Sequence, residues 1–421
     1  MEDKIEVNIN SEIGGLEAVI IHSMGSEVEN MTPQNAQRAL YSDILSLSVS
    51  QKEYSQFREV LHKAARVLEI RELLADILEL PDVRKVLIEK AAAETNDPFV
   101  DDYLETLDHV ELARQMIEGV EMKRDSLSRF LSHERYALRP LHNFFFTRDA
   151  SVSVNNEVLI SSMASKVRDR ESLIMGAIFD HHPLFATRTQ RLEEAIFKCH
   201  KMTLEGGDVL VVREDLLLIG IGSRTTPAGV DAVIEKLKKR KTKQHIIVHE
   251  LPLEGESFIH LDMVFTFLNT HECMIYEPVI LQPNRFKTIH IEIDNDLVKI
   301  NEEKNVLDAL GKLGLEMEPI YCGGKTDQWT QEREQWHSGA NFFALAPGKI
   351  MGYSRNMYTL EELNHHGYEI IGAEEIISGR KLLHDPGKCV VIIEGSELSR
   401  GGGGARCMTM PVRRQDLNFT E

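Results

Sequence analysis

Residues 399–408 read Ser-Arg-Gly-Gly-Gly-Gly-Ala-Arg-Cys-Met, a run of four glycines leading to Cys407. Four consecutive glycines let a backbone adopt conformations closed to other residues and come close to a ligand. The thiol they deliver lies between Arg400 and Arg406. A cysteine presented in this way has the surroundings of a nucleophile. A loop beside an inert buried cysteine would read the same from this run alone. The remaining candidate groups decide between the two.

The chain has 421 residues, enough for one large domain or two ordinary ones, and 42% of them are hydrophobic. Lys+Arg is 48 against Asp+Glu 67, a net charge of -19. That balance argues against nucleic acid or anionic membrane as the main partner and is compatible with a cationic small substrate, although most acidic proteins are simply soluble. No apolar stretch reaches the length of a membrane span. The start, Met1-Glu2-Asp3-Lys4-Ile5-Glu6, lacks the features of a secretory signal. Five cysteines (Cys199, Cys273, Cys322, Cys389, Cys407) stand far apart with no metal-type spacing. An odd count without a framework predicts a reduced, cytoplasmic protein.

Leu16 to His22 forms a short apolar run that reads as a strand. Helical periodicity then takes over, as in Phe57–Ala65, Val83–Lys90 and Val110–Met116, with no glycine between Gly25 and Gly119. We assign residues 71–135 to a helical insert and residues 1–70 and 136–421 to a catalytic domain. From Leu141 onward a unit recurs. It starts at Asp149, Asp208, Asp262 and Asn341, runs through two apolar strands joined by a polar turn, and in three cases ends near an arginine: Arg168, Arg224 or Arg355. Repetition of this kind predicts an α/β fold built as a propeller-like array. The alternative is an ordinary α/β sheet in which the repetition is coincidence. An array would gather the polar starts of the units around one axis.

Several segments bring chemistry to those starts. Asn143-Phe144-Phe145-Phe146-Thr147-Arg148-Asp149 ends an aromatic run on a carboxylate. Glu205-Gly206-Gly207-Asp208 opens a strand with two glycines between carboxylates, although a lone tetrapeptide of this type is more often a polar turn. In His260-Leu261-Asp262, read as a strand start, residues two apart share a face, which makes His260 an acid/base candidate beside Asp262. The pairs His181-His182 and His365-His366 carry no such context and read as surface. The chain has no HExxH, no phosphate-loop ending after the glycines and no GxSxG. A thiol, an imidazole and several carboxylates suit a planar cation, because a guanidinium offers five donors that carboxylates accept bidentately.

Together, Ser11–Glu17, Asn143–Asp149, Lys166–Arg168, Glu205–Asp208, His260–Asp262, Gly352–Asn356 and Ala405–Pro411 resemble, in this order, the arginine deiminase family. That family belongs to the guanidino-group-modifying superfamily, whose pentein fold is a five-bladed α/β propeller of ββαβ units; the helical insert also matches. The resemblance implies hydrolysis of L-arginine to L-citrulline and ammonia, without metal or cofactor, in a homo-oligomer. It implies Cys407 as the covalent nucleophile and His260 as the acid and base. Asp149 and Asp262 clamp the guanidinium, and Glu205 orients His260. Asn143, Phe146, Arg168, Arg224 and Asp208 line the substrate site, with Leu40 in a lid at its mouth. Some relatives carry an arginine where this chain has Gly402, so Arg400 or Arg406 stands in for it. The alternatives within the superfamily are an agmatine deiminase or an amidinotransferase. Outside enzymes, the alternative is a non-catalytic arginine-binding protein.

Cys407→Ser is expected to lower turnover by at least about 10³-fold, roughly 4 kcal/mol in the barrier. Substitutions at Cys199, Cys273, Cys322 and Cys389 are expected to be mild. Mass spectrometry of acid-quenched enzyme checks this: the substrate-derived mass belongs on the peptide that contains Cys407.

Overall fold

The computed structural model describes residues 4–417 apart from 37, 96, 98, 193–201, 282 and 326. Cys199 lies outside the described residues. Each of the four repeated units read from sequence is an antiparallel hairpin whose second strand takes a parallel strand on its other side. In the first, Ser151–Val154 pairs with Glu157–Ile160, which pairs with Arg188–Arg191. In the second, Val209–Arg213, Leu216–Ile221 and Gln244–Glu250 repeat the pattern, and the hairpin Thr288–Asp294/Leu297–Glu303 widens the sheet to five strands. Phe265–Phe267, Glu272–Ile275 and Glu318–Tyr321 form the third. Phe343–Ala346, Lys349–Tyr353 and Lys388–Ile393 form the fourth, with Tyr368–Gly372 added at the edge.

A fifth module is split between the two ends of the chain. Met410–Arg414 pairs antiparallel with Leu16–Ile21, which pairs parallel with Arg66–Glu69. The parallel pairs need crossovers, and helices supply them: Leu47–Ala64, Asp169–His181, Pro227–Leu237, Val306–Lys312 and Met357–His365. The middle strands read as nearly continuous apolar runs because both faces are covered; Leu216, Leu218 and Ile219 are fully buried. On Leu47–Ala64 the residues Tyr54, Phe57, Val60 and Leu61 form the buried stripe at helical spacing. Pro227 starts its helix behind Thr226, whose side chain accepts from Gly229 N.

Between Glu69 and Ser151 the chain leaves these sheets. The helices Ile70–Leu78, Pro81–Ala93, Phe99–Glu105 and His109–Glu118 follow, and Asp108 caps the last through Val110 N and Glu111 N. Their apolar faces share one core with Ile174 and Ile178 of the Asp169–His181 helix. Two readings from sequence are corrected here. His260 and Asp262 do not lie on a strand: His260 precedes a single 3-10 turn, Leu261–Met263. His182 is buried rather than on the surface, because its Nδ1 accepts from Leu184 N and its Nε2 meets Asp76. Among the described residues no helix is long and apolar enough to cross a membrane.

Candidate active site

All five modules deliver a polar side chain one to three residues before their first strand. These are Asp149, Asp208, Asp262, Asn341 and Cys407. All five are buried. Backbone bonds tie neighbouring modules together at this end: Arg148 N donates to Cys407 O at 3.1 Å, and Gly206 N to Asp149 O at 3.1 Å.

Cys407 faces two groups. Asp262 Oδ2 and Oδ1 lie 3.7 and 3.9 Å from its Sγ. Asn341 Nδ2 lies 3.2 Å from Sγ and also donates to Asp262 O at 3.0 Å. The other end of the same amide, Oδ1, accepts from Arg406 N at 2.9 Å. A Cβ on Gly404 would stand 2.6 Å from that Oδ1, so the last glycine of the run is a packing requirement rather than a hinge. Burial pushes the thiol well above its ordinary value, and the negative charges of Asp262 and Asp149 push it further.

His260 is held between carboxylates. Its Nε2 bonds Glu205 Oε2 at 2.9 Å, and its Nδ1 lies 3.5 Å from Asp149 Oδ1, an oxygen with no hydrogen-bond partner. Burial alone would strip the imidazole of its proton. Asp149, Glu205 and Asp208 outweigh it and raise the pKa to about 9. Burial would likewise raise Glu205, yet the bond and charge of His260 bring it down to about 2. The backbone approaches so closely here that a Cβ on Gly207 would stand 2.5 Å from His260 Nδ1. Asp208 Oδ1 accepts from Leu261 N at 2.9 Å and so fixes the turn that carries His260 and Asp262; burial lifts this carboxyl to about 7. Asp149, Glu205 and His260 have the donor types and proximity for a metal ion. In the metal-free set the charged imidazole of His260 pairs with Glu205 at 2.9 Å.

The candidate arginines divide sharply. Arg406 uses all five of its donors: Nε and one NH2 proton on Glu12, NH1 on Asp262 Oδ2 and Gly207 O, and the other NH2 proton on Val209 O. Nothing remains for a ligand carboxylate, which corrects its reading as a substrate-binding residue. Arg168 is buried, bonded to Asp149 Oδ2 at 2.6 Å and bidentately to Glu171. Arg400 is partly exposed and paired with Asp43 at 2.7 Å and Glu397 at 2.8 Å. Arg224 is half-buried, has no ion pair among the described residues, and adds its charge to the field that lowers Glu205. Asn143 Nδ2 donates to Ala39 O at 2.7 Å and thereby anchors the segment that carries Leu40, a non-glycine residue at φ 67. Phe146 packs under Gly403, and Gly402 sits at φ 83 with open space where a side chain would project.

Sequence reasoning missed Asn341 and Glu12 as members of this cluster. The signal for Asn341 was present, since it opens the fourth repeat where the others carry aspartate. Glu12 lay unremarked within the Ser11–Glu17 segment.

The closed set of a thiol, a charged imidazole and facing carboxylates defines a class: cysteine-dependent enzymes that act on a guanidinium or amidine. The fold agrees. A mixed α/β amidinotransferase of a saxitoxin biosynthetic pathway from Microseira wollei matches with a TM-score of 0.54 and 12% identity over 98% of each chain. The sequence pattern described as "Arginine deiminase" matches residues 37–414. The arginine deiminase of Listeria monocytogenes serotype 4b is 32% identical over 98% of both chains. That of Mycoplasma capricolum is 33% identical over 99% of both. This chain belongs to the arginine deiminase family.

With His260 raised to about 9, its charged form prevails below that pH. If that proton is used in catalysis, kcat/KM falls as pH rises through about 9. The stability that His260 contributes is likewise complete below about 6.5 and lost as pH rises through the folded value. Glu205→Gln removes the anion bonded to Nε2, so the alkaline limb of the kcat/KM profile is expected to move down toward 6.5. A limb that stays near 9 in this variant would assign the titration to another group.

Proposed function

We propose that this chain hydrolyses L-arginine to L-citrulline and ammonia through a covalent adduct on Cys407. The observation that carries the reading is the convergence of the Cys407 thiol, the His260 imidazolium and the carboxylates of Asp149 and Asp262 in one buried space. The release of citrulline and ammonia from free arginine, assayed beside agmatine, tests it directly.

The chemistry follows from the charges. In the empty site the carboxylates disfavour a thiolate. A guanidinium seated between Asp149 and Asp262 cancels their field, and the thiolate forms when the substrate is in place. The unpartnered Asp149 Oδ1 supplies an acceptor for it. Asn341 Nδ2 donates to sulfur as charge develops there. Sγ attacks the guanidino carbon and His260 gives its proton to the departing ammonia. The imidazole, now neutral, takes a proton from the water that attacks the adduct, and Sγ leaves as citrulline forms. Glu205 and Asp208 hold His260 in place throughout. Among Arg168, Arg224, Arg400 and Arg406, Arg224 alone is without a carboxylate partner, and it meets the α-carboxylate of arginine. Asn143 and Phe146 shape that end of the pocket, with Leu40 over its mouth.

On this reading the five modules are the blades of a pseudosymmetric propeller closed by the chain ends. Residues 1–70 and 136–421 make the catalytic domain and residues 71–135 the helical insert. The enzyme is cytoplasmic and assembles as a homo-oligomer.

Two outcomes are expected. Arg224→Ala narrows the preference for arginine over agmatine, because agmatine has no carboxylate to lose. Equal weakening toward both substrates would misplace Arg224. In the free enzyme, alkylation of Cys407 by a small neutral reagent is expected to follow a pKa above that of an ordinary cysteine, about 8.5. Asn341→Asp raises that pKa further and lowers kcat about 10²-fold, the usual cost of losing one donor to a developing anion.

A further inference from the structure

Tyr353 is a buried polar residue that the reaction proposed above leaves unused. It closes the strand Lys349–Tyr353 of the fourth module and is 2% exposed. Its ring is tightly seated, since a Cβ on Gly395 would stand 2.2 Å from Tyr353 Cδ1. Its Oη donates to Gly403 O at 3.0 Å. Burial pushes the phenol well above its ordinary value, and the charges of Cys407 and Glu53 push it the same way. The hydroxyl therefore keeps its proton and serves the carbonyl as a donor. Neighbouring bonds hold the approach to the same loop. Arg355 Nη1 donates to Ser396 O at 3.1 Å, and Glu53 Oε2 accepts from Glu397 N at 3.0 Å and Leu398 N at 2.9 Å.

What Tyr353 fixes is the peptide between Gly403 and Gly404. That peptide is closely walled: a Cβ on Gly403 would stand 2.5 Å from Phe146 Cε1, and one on Gly404 2.6 Å from Asn341 Oδ1. It is trans and planar, so its N–H points away from its C=O. With the C=O held by Tyr353, the N–H of Gly404 acts on the Cys407 thiol in favour of its ionised form. Gly404 O in turn accepts from Met408 N at 3.3 Å and closes the turn that carries Cys407. We propose that Tyr353 is a positioning residue for the nucleophile: it orients the Gly403–Gly404 peptide so that this N–H joins Asn341 Nδ2 in stabilising the Cys407 thiolate. The proposal rests on the reading of Cys407 as the nucleophile. A bond accepted by Gly403 O also polarises the peptide and strengthens its N–H as a donor, so loss of the hydroxyl is felt at sulfur. The charges acting on Cys407 are those of Asp262 and Asp149, which oppose the thiolate, and of Arg406, which favours it. Those acting on Tyr353 include Glu53 and Arg355. Removing the hydroxyl leaves all of these charges in place.

The experiment follows alkylation of Cys407 by iodoacetamide in the free, full-length enzyme across pH, with the labelled peptide resolved by mass spectrometry. Tyr353→Phe keeps the ring against Gly395 and removes only the hydroxyl. Its thiol pKa is expected to rise by about 1, a tenfold loss of thiolate at a given pH. At a pH below both values the alkylation rate then falls only about threefold, because a more basic thiolate is also more nucleophilic. With arginine as substrate, kcat is expected to fall by that factor or more. KM is expected to stay within about twofold, since the ends of the substrate keep their contacts. A ring-fluorinated tyrosine in place of Tyr353 keeps the bond and makes the hydroxyl a stronger donor. It is expected to move the thiol pKa down and to quicken alkylation. Because this second enzyme retains the hydrogen bond, it decides the question even where Tyr353→Phe fails to fold. A Tyr353→Phe profile that coincides with the wild type overturns the proposal. So does a fluorinated enzyme whose thiol pKa is unmoved or raised, or a variant in which KM alone changes. The alkylation arm contains no substrate, so it decides this proposal even where the citrulline assay goes against the function proposed above.

Discussion

The Arg406 guanidinium is the interaction on which the rest of the site depends. It is a fully buried charge, and such a charge is tolerable only when geometry and hydrogen bonding are nearly complete. Both conditions hold. Glu12 and Asp262 supply the countercharge, and Gly207 O and Val209 O take the remaining donors. Burial would raise Glu12, yet the charges of Arg406 and Arg148 hold it down to about 2, so the pair stays ionic across ordinary pH. Through these bonds one side chain ties the last strand of the chain to the N-terminal segment, to the second module and to the third. It also holds Asp262, both of whose oxygens lie within 4 Å of Cys407 Sγ. Removing either partner of such a pair typically costs about 3–5 kcal/mol. The residue next to Cys407 thus fastens the last strand to the second and third modules.

Above that fastener, the carboxylate field acts on both reactive groups in the same direction. Negative charge raises the pKa of a thiol and of an imidazole alike, but the consequences are opposite. His260 is held in its charged form, whereas Cys407 is held toward its neutral thiol form. In the proposed mechanism the empty site is half prepared, and the cationic substrate completes it. A neutral ligand of the same shape would leave the thiol protonated. In the proposed mechanism discrimination and activation share one physical cause, the field of Asp149 and Asp262.

Much of this was legible in the sequence, and what was not has identifiable reasons. The four hairpins were readable because polar turns interrupt apolar runs at regular intervals. Cys407, His260 and the carboxylates stood out by residue type and context. The fifth module was hidden because Leu16–Ile21 and Met410–Arg414 lie at opposite ends of the chain. The argument that put His260 and Asp262 on one face assumed a strand; the two still meet the same cavity because Asp208 fixes the turn between them. Arg406 was misread because an arginine beside a nucleophile suggests a ligand contact, and its partner Glu12 is 394 residues away. The polar groups of Asn341 are equally silent in one dimension, since its partners lie 65 or more positions distant.

The segments around Cys407 and around Leu40 differ in what holds them. The first is built from buried, charge-assisted bonds and from glycines that leave no room for a Cβ against Asn341 or Phe146. The segment around Leu40 is different: it is joined to the residue before the glycine run by the Arg400–Asp43 pair, which is partly exposed and so worth at most about 1 kcal/mol. Leu40 itself is held at positive φ, a conformation that costs a leucine roughly 1–3 kcal/mol. A bond of that strength cannot by itself balance such strain. The Asn143 bond to Ala39 O and the bond from Tyr41 Oη to His142 O, one on either side of Leu40, must carry the difference. Leu40 is thus a strained residue held by the bonds of its two neighbours.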